Sequence, residues 1–210
     1  MKRILFTAVL LLCTLPLLRA QEEEDWSFPV KYSGPRPTIT DFVSAILSPE
    51  DIGESLGEMS GNWDLYLAGK ALPADHSFVV DTKNGYVRYD VTFPHEEGEY
   101  VYHDFIEFCY WNCADGKHKV VAENTVSTQD GEPFVGQYSG LSFFLYDNNT
   151  RKMAPIYSGD LGIEVECPED TEWFTHKLPQ TGKTIEYLFH TPSGEIRRSF
   201  TWNGSKFVED

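Results

Sequence analysis

From Asn62 to the end of the chain, apolar and polar residues alternate in short runs broken by Asn, Asp, Gly and Pro. A period of two predicts strands joined by tight turns. In "HSFVVDTKNGYVRYDVTF" a two-residue turn at Asn84-Gly85 sets Val80 opposite Tyr89, Phe78 opposite Val91 and Asp81 opposite Arg88. The apolar pairs then share one face and the ion pair takes the other. In "IRRSFTWNGSKFVED" a turn at Asn203-Gly204 sets Phe200 opposite Phe207 and Arg198 opposite Glu209. A Pro192-Ser193-Gly194 turn just before it completes a three-strand meander, and "LSFFLYDNNTRKMAPIY" forms a further hairpin around Asp147, Asn148 and Asn149.

Before Asn62 the period lengthens. Thr40 caps a short helix with Phe42, Val43, Ile46 and Leu47 on one stripe. Ser48-Pro49-Glu50-Asp51 starts a second, with Ile52, Leu56 and Met59 as its apolar face. The expected fold is mainly β (α+β). Antiparallel hairpins and a meander form a curved sheet, sandwich or barrel, with one or two short N-terminal helices, in a single domain over residues 38–210.

One hairpin carries candidate chemistry. In "CYWNCADGKHK" an Asp115-Gly116 turn pairs Cys113 with His118, Trp111 with Val120 and Cys109 with Ala122. Cys109, Trp111 and Cys113 then face one way and Ile106, Phe108 and Tyr110 the other, the pattern of a central strand covered on both sides. Four residues of strand span about 13 Å, and bridged cysteines need Cα atoms within roughly 7 Å. Cys109 and Cys113 therefore neither bridge each other nor share one zinc from a straight strand. The cross-strand Cys113–His118 pair could suggest a dyad or a metal site. The side chain of Asp115 is expected to serve the backbone of its turn, third and fourth metal ligands are missing, and a plain hairpin is expected.

The N-terminus changes the compartment. Lys2 and Arg3, an apolar run from Ile4 to Leu18 and Leu18-Arg19-Ala20 read as a secretory signal cleaved after Ala20. Residues 21–37 follow as a flexible acidic lead-in. The protein is then periplasmic or secreted and not integral to a membrane. The signal holds three of the 17 basic residues and none of the 33 acidic ones, which leaves a net charge of −19. Such a surface repels nucleic acid. Three cysteines remain, and an oxidising compartment favours one disulfide. Cys167 is expected to pair with Cys113 or Cys109, Cys113 being preferred beside its turn.

The rest of the chain offers no strong catalytic motif. Histidines 76, 95, 103, 118, 176 and 190 lack H-x-H or H-E-x-x-H spacing, and no P-loop or G-x-S-x-G occurs. No catalytic residue, metal or cofactor is therefore assigned. Glu164 and Glu166 could share one strand face as a glycosidase-like pair. Of thirty aromatic residues most must be core, but one or two exposed on a sheet face could stack on a sugar or grip a protein. Trp63, Trp111, Trp173 and Trp202 are the candidates.

"YWNCADGKHKVVAEN", "LSFFLYDNNTRKM", "LPQTGKTIEY" and "FTWNGSKF" together resemble uncharacterised exported proteins of Bacteroidota. The resemblance covers residues 63–208 in pieces. It implies a periplasmic or secreted protein and supplies no catalytic residues. The expected function is an exported, non-enzymatic binding or interaction protein for a glycan or an envelope protein. The competing expectation is a secreted glycan hydrolase using paired carboxylates.

Overall fold

The computed structural model describes residues 26–48, 54–94, 98, 100–133 and 140–210. The signal sequence, the start of the lead-in, His95, and the expected second helix start at Pro49–Ile52 lie outside the described residues. Along the chain come β1 (Phe28–Pro29), α1 (Ile39–Ile46), α2 (Glu54–Leu67), β2 (His76–Asp81), β3 (Tyr86–Pro94), β4 (Val101–Asn112) and β5 (His118–Gln129). Then follow β6 (Glu132–Pro133), β7 (Gly140–Asp147), β8 (Lys152–Ile156), a 3₁₀ turn (Gly159–Leu161), β9 (Trp173–Lys177), β10 (Thr184–Thr191), β11 (Gly194–Trp202) and β12 (Phe207–Glu209).

The large antiparallel sheet runs β1-β8-β7-β5-β4-β3-β2, with β6 paired to β5 beside that path. The small sheet runs β12-β11-β10-β9. Neither closes into a barrel. Two cores fix the layering. Phe42, Val43, Ile46, Met59 and Trp63 of the helices pack on Ile106, Phe108, Val121 and Tyr146 of the large sheet. On the opposite face, Cys109, Trp111, Val120, Ala122 and Phe143 pack on Ile185, Phe189, Phe200, Trp202 and Phe207. The result is helices, large sheet, small sheet. β4 and β5 are apolar on both faces because they form the middle layer.

The β4–β5 register is the one the Asp115-Gly116 turn predicts: Trp111 opposes Val120 and Cys109 opposes Ala122. Two other hairpins are slipped by two residues. In β2–β3, Phe78 opposes Tyr89 and Val80 opposes Val87 across a four-residue loop. The Asp81 carboxylate accepts from Asn84 N at 3.0 Å and Asn84 Nδ2 at 2.7 Å, which turns the chain early. Gly85 closes the loop at φ +72°, where a Cβ would come within 2.6 Å of the Tyr110 ring. The expected Asp81–Arg88 pair is therefore absent, and Arg88 binds Asp90 at 2.7 Å. At β11–β12, Trp202 opposes Phe207 because Asn203 Oδ1 accepts from the backbone of Ser205 and Lys206. Arg198 still reaches Glu209, now along a diagonal, through contacts of 2.6 and 2.7 Å.

Two N-terminal details also differ from expectation. Thr38, not Thr40, caps α1, and the Asp41 carboxylate accepts from Thr38 N at 2.7 Å. Part of the expected lead-in is pinned: β1 pairs with β8, Val30 is buried, and Val30 N donates to Arg151 O at 2.9 Å.

Candidate functional site

Three of the four candidate tryptophans belong to the cores. Trp63, Trp111 and Trp202 are only 2%, 5% and 2% exposed, so their rings face protein. Trp63 Nε1 donates to Ser44 Oγ, and Trp202 Nε1 to Asn112 O, both as buried indoles require. Trp173 is half-buried and stacks on His190, with ring centroids 3.3 Å apart. Glu164 and Glu166 lie exposed in irregular chain, so the strand face that would have paired them does not form.

Cys109, Cys113 and Cys167 are all free, which corrects the expected disulfide. Cys113 sits opposite His118 at one end of β5, whereas Cys167 shares a hollow with Thr125 toward the other end. The seven residue steps from His118 to Thr125 span about 23 Å of strand. Cys109 is buried between them. Burial, then Asp115, raises the Cys113 thiol above its ordinary range, which disfavours a thiolate. The Asp115 carboxylate does more than serve the turn backbone: it also meets His118 Nδ1 at 2.5 Å, but the thiol it would help to activate stays protonated. That contact and the backbone N–H groups of Lys117 and His118 hold Asp115 down at about 2. Among the described residues no group of three or more His, Cys, Asp or Glu is arranged to hold a metal.

The same hairpin borders a different feature, a cavity of about 460 Å³ beside the hairpin tips. Three separate segments build it. The β4–β5 tip supplies Asn112, Gly116, His118 and Lys119; the β7–β8 tip supplies Asn148 and Arg151; the chain after β1 supplies Tyr32 and Arg36. Backbone bonds hold these tips together, with Asn148 N donating to Lys117 O and Val30 N to Arg151 O. Arg151 sits at φ +57°, a left-handed position at the loop end that a residue with a Cβ adopts at a cost.

Charge sets this cavity apart. The described chain has five arginines. Arg88, Arg197 and Arg198 bind carboxylates. Arg36 and Arg151 have no carboxylate partner among the described residues, and both line the cavity. Lys119, only 7% exposed, is the third cation there. Its ammonium donates to Asn112 Oδ1 and lies 4.9 Å from the Tyr110 ring centroid, while Arg151 stacks 4.7 Å from that of Tyr32. Burial, then the charge of Arg36, lowers the Lys119 pKa. Among the described residues no carboxylate lines the cavity.

Residue-by-residue reading of the sequence passed over Tyr32, Arg36, Lys119 and Arg151. A signal was there in "KHK" and "TRK", two concentrations of cations at hairpin tips in an otherwise acid-rich chain. Against known protein families, curated proteins and solved structures, the chain has no match.

Proposed function

We propose that this is an exported, non-enzymatic binding protein whose ligand presents an anionic group to the cavity of Arg36, Lys119 and Arg151. The observation that carries the proposal is the convergence of these three cations, with no carboxylate among the described lining residues, in a chain with 33 acids to 17 bases. In such a chain carboxylates are abundant neighbours, and a cation left without one by folding is available for a ligand. The rest of the surface limits ligand size. At physiological salt, charges beyond about 8 Å are screened, so the cavity cations govern a small anion inside it. A long polyanion would instead lie along the acidic exterior. The hairpins bearing the resemblance to exported Bacteroidota proteins, "YWNCADGKHK" and "YDNNTRKM", border this cavity, which is consistent with one binding role. Among the described residues no helix is long and apolar enough to cross a membrane.

The test is a titration of the isotopically labelled chain from Gln21 with acetate, sulfate and phosphate at constant ionic strength. Amide shifts are expected to concentrate at Tyr32, Arg36, Asn112, Lys119 and Arg151. Shifts scattered over the surface, or none, would overturn the cavity as the ligand site. Intact-mass measurement of the native protein checks export: a species retaining residues 1–20 would contradict cleavage after Ala20.

A further inference from the structure

Resting on that site, the geometry points to a narrower class: we infer that the ligand is a phosphomonoester carried on a small hydroxylated body such as a sugar. The first argument is charge. Three cations around one cavity, with no carboxylate among its described lining residues, leave an excess that a singly charged group only partly balances. A phosphomonoester brings nearly two negative charges at neutral pH, whereas a carboxylate or sulfate ester brings one.

The second argument is the balance of donors and acceptors. One Lys119 N–H is used by Asn112 Oδ1, which leaves two N–H groups for a ligand. Asn112 keeps its amide N–H groups, and the guanidinium groups of Arg36 and Arg151 have no carboxylate to bind. A surface so rich in donors suits a group with three terminal oxygens pointing in different directions better than a planar carboxylate.

The third argument concerns the remainder of the ligand. At about 460 Å³ the cavity exceeds what one oxyanion fills. Arg151 already stacks on Tyr32, the phenol ring of the described lining, which leaves less aromatic surface there for a base. Beyond the cations the lining includes Asn112, Asn148 and His118, side chains that pair with hydroxyls, beside Pro35 and Cys113. Asn148 spends an amide N–H on Gly116 O and keeps its own oxygen as an acceptor.

Four probes sharing one ring separate the possibilities: glucose 6-phosphate, glucose 6-sulfate, glucuronate and glucose, each titrated calorimetrically into the chain from Gln21 at pH 7.5 and constant ionic strength. The phosphate is expected to bind at least tenfold more tightly than the sulfate or glucuronate, and glucose not measurably. Arg36 is exposed, so Arg36→Ala should fold normally and weaken the phosphate at least tenfold. Glucuronate binding as tightly as the phosphate would overturn the phosphomonoester assignment and leave the cationic cavity standing. The same split follows if none of the four binds while inorganic phosphate still shifts the cavity amides. Phosphate binding that Arg36→Ala and Arg151→Ala both leave unchanged would overturn the assignment to this cavity. Failure of every anion, inorganic ones included, would overturn the binding site as well.

Discussion

If Lys119 is placed for a ligand, removing its charge should stabilise the free protein. Lys119→Met keeps most of the buried stem and deletes the ammonium. The losses are one hydrogen bond to Asn112 and a cation–π contact, together about 2–4 kcal/mol. The gains are relief from desolvating an ammonium in a residue only 7% exposed, several kcal/mol, and relief from repulsion by Arg36. Asn112 is exposed, so its freed oxygen returns to water. The net expectation is a gain of about 1 kcal/mol, or about 2–4 °C in Tm. Urea denaturation at pH 7 without added anions measures it. The pH dependence carries a definite sign. The folded pKa lies below the ordinary 10.5, so the folded form releases its proton first as pH rises. The wild-type deficit is thus complete at neutral pH, and it narrows as pH climbs through the folded pKa toward 10.5. A variant less stable than wild type by more than about 1 kcal/mol would refute the reasoning, because the ammonium would then be a structural tie.

Other outcomes can be checked independently. The buried Glu107 carboxylate accepts from Tyr86 OH at 2.7 Å, Asn124 Nδ2 at 2.9 Å and Leu178 N at 3.2 Å, so it ties the large sheet to the approach to the small one. Glu107→Ala should lose about 3–5 kcal/mol, and a double-mutant cycle with Tyr86→Phe should show coupling above about 1 kcal/mol; additivity would count against the tie. Cys167 should react rapidly with a thiol reagent, Cys113 slowly and Cys109 only on unfolding; a Cys113–Cys167 disulfide peptide on non-reducing mapping would contradict the placement of the cysteines. His176 is pushed down to about 4 by burial, below its ordinary 6.5, so stability is full above pH 6.5 and falls by about 3 kcal/mol as pH drops to 4. Its imidazole should still be neutral at pH 5 by NMR, and a protonated ring there would refute the burial argument. Glu123 is pushed up to about 7 by burial, so its share of stability is present below 4.5 and lost as pH rises through 7; Glu123→Gln should remove that slope, and an unchanged pH–stability profile would show otherwise.

The alternation of apolar residues showed which faces are buried, and the β4–β5 pairing followed from it. It did not fix the other two registers, for a physical reason. A side chain returns to the same face every second residue, so apolar segregation rejects a slip of one and is blind to a slip of two. The side chains of Asp81 and Asn203 decide the slip by bonding backbone within the loop, and Asn-Gly alone does not announce that. The tryptophans misled because aromatic content says nothing about which rings face inward. The cavity was hidden for another reason. Its cations come from residues far apart in sequence, and that no described carboxylate lines it is a property of the folded chain.

Nearly all strand pairs join elements adjacent in the chain or separated only by the two-residue β6; β1 against β8 is the exception. Closing the loop from Pro29 to Lys152 costs about 4 kcal/mol of chain entropy, and a two-residue strand returns few contacts for it. Such topology makes β1 the last strand to dock and the first to fray. Tyr32 and Arg36 follow directly behind it, so one wall of the cavity exists only while β1 is in place. Occupancy and docking are then a single linked equilibrium. An anion between Arg36 and Arg151 tightens the hold on the N-terminal segment, and a chain cut before Thr38 keeps both sheets but loses the cavity wall.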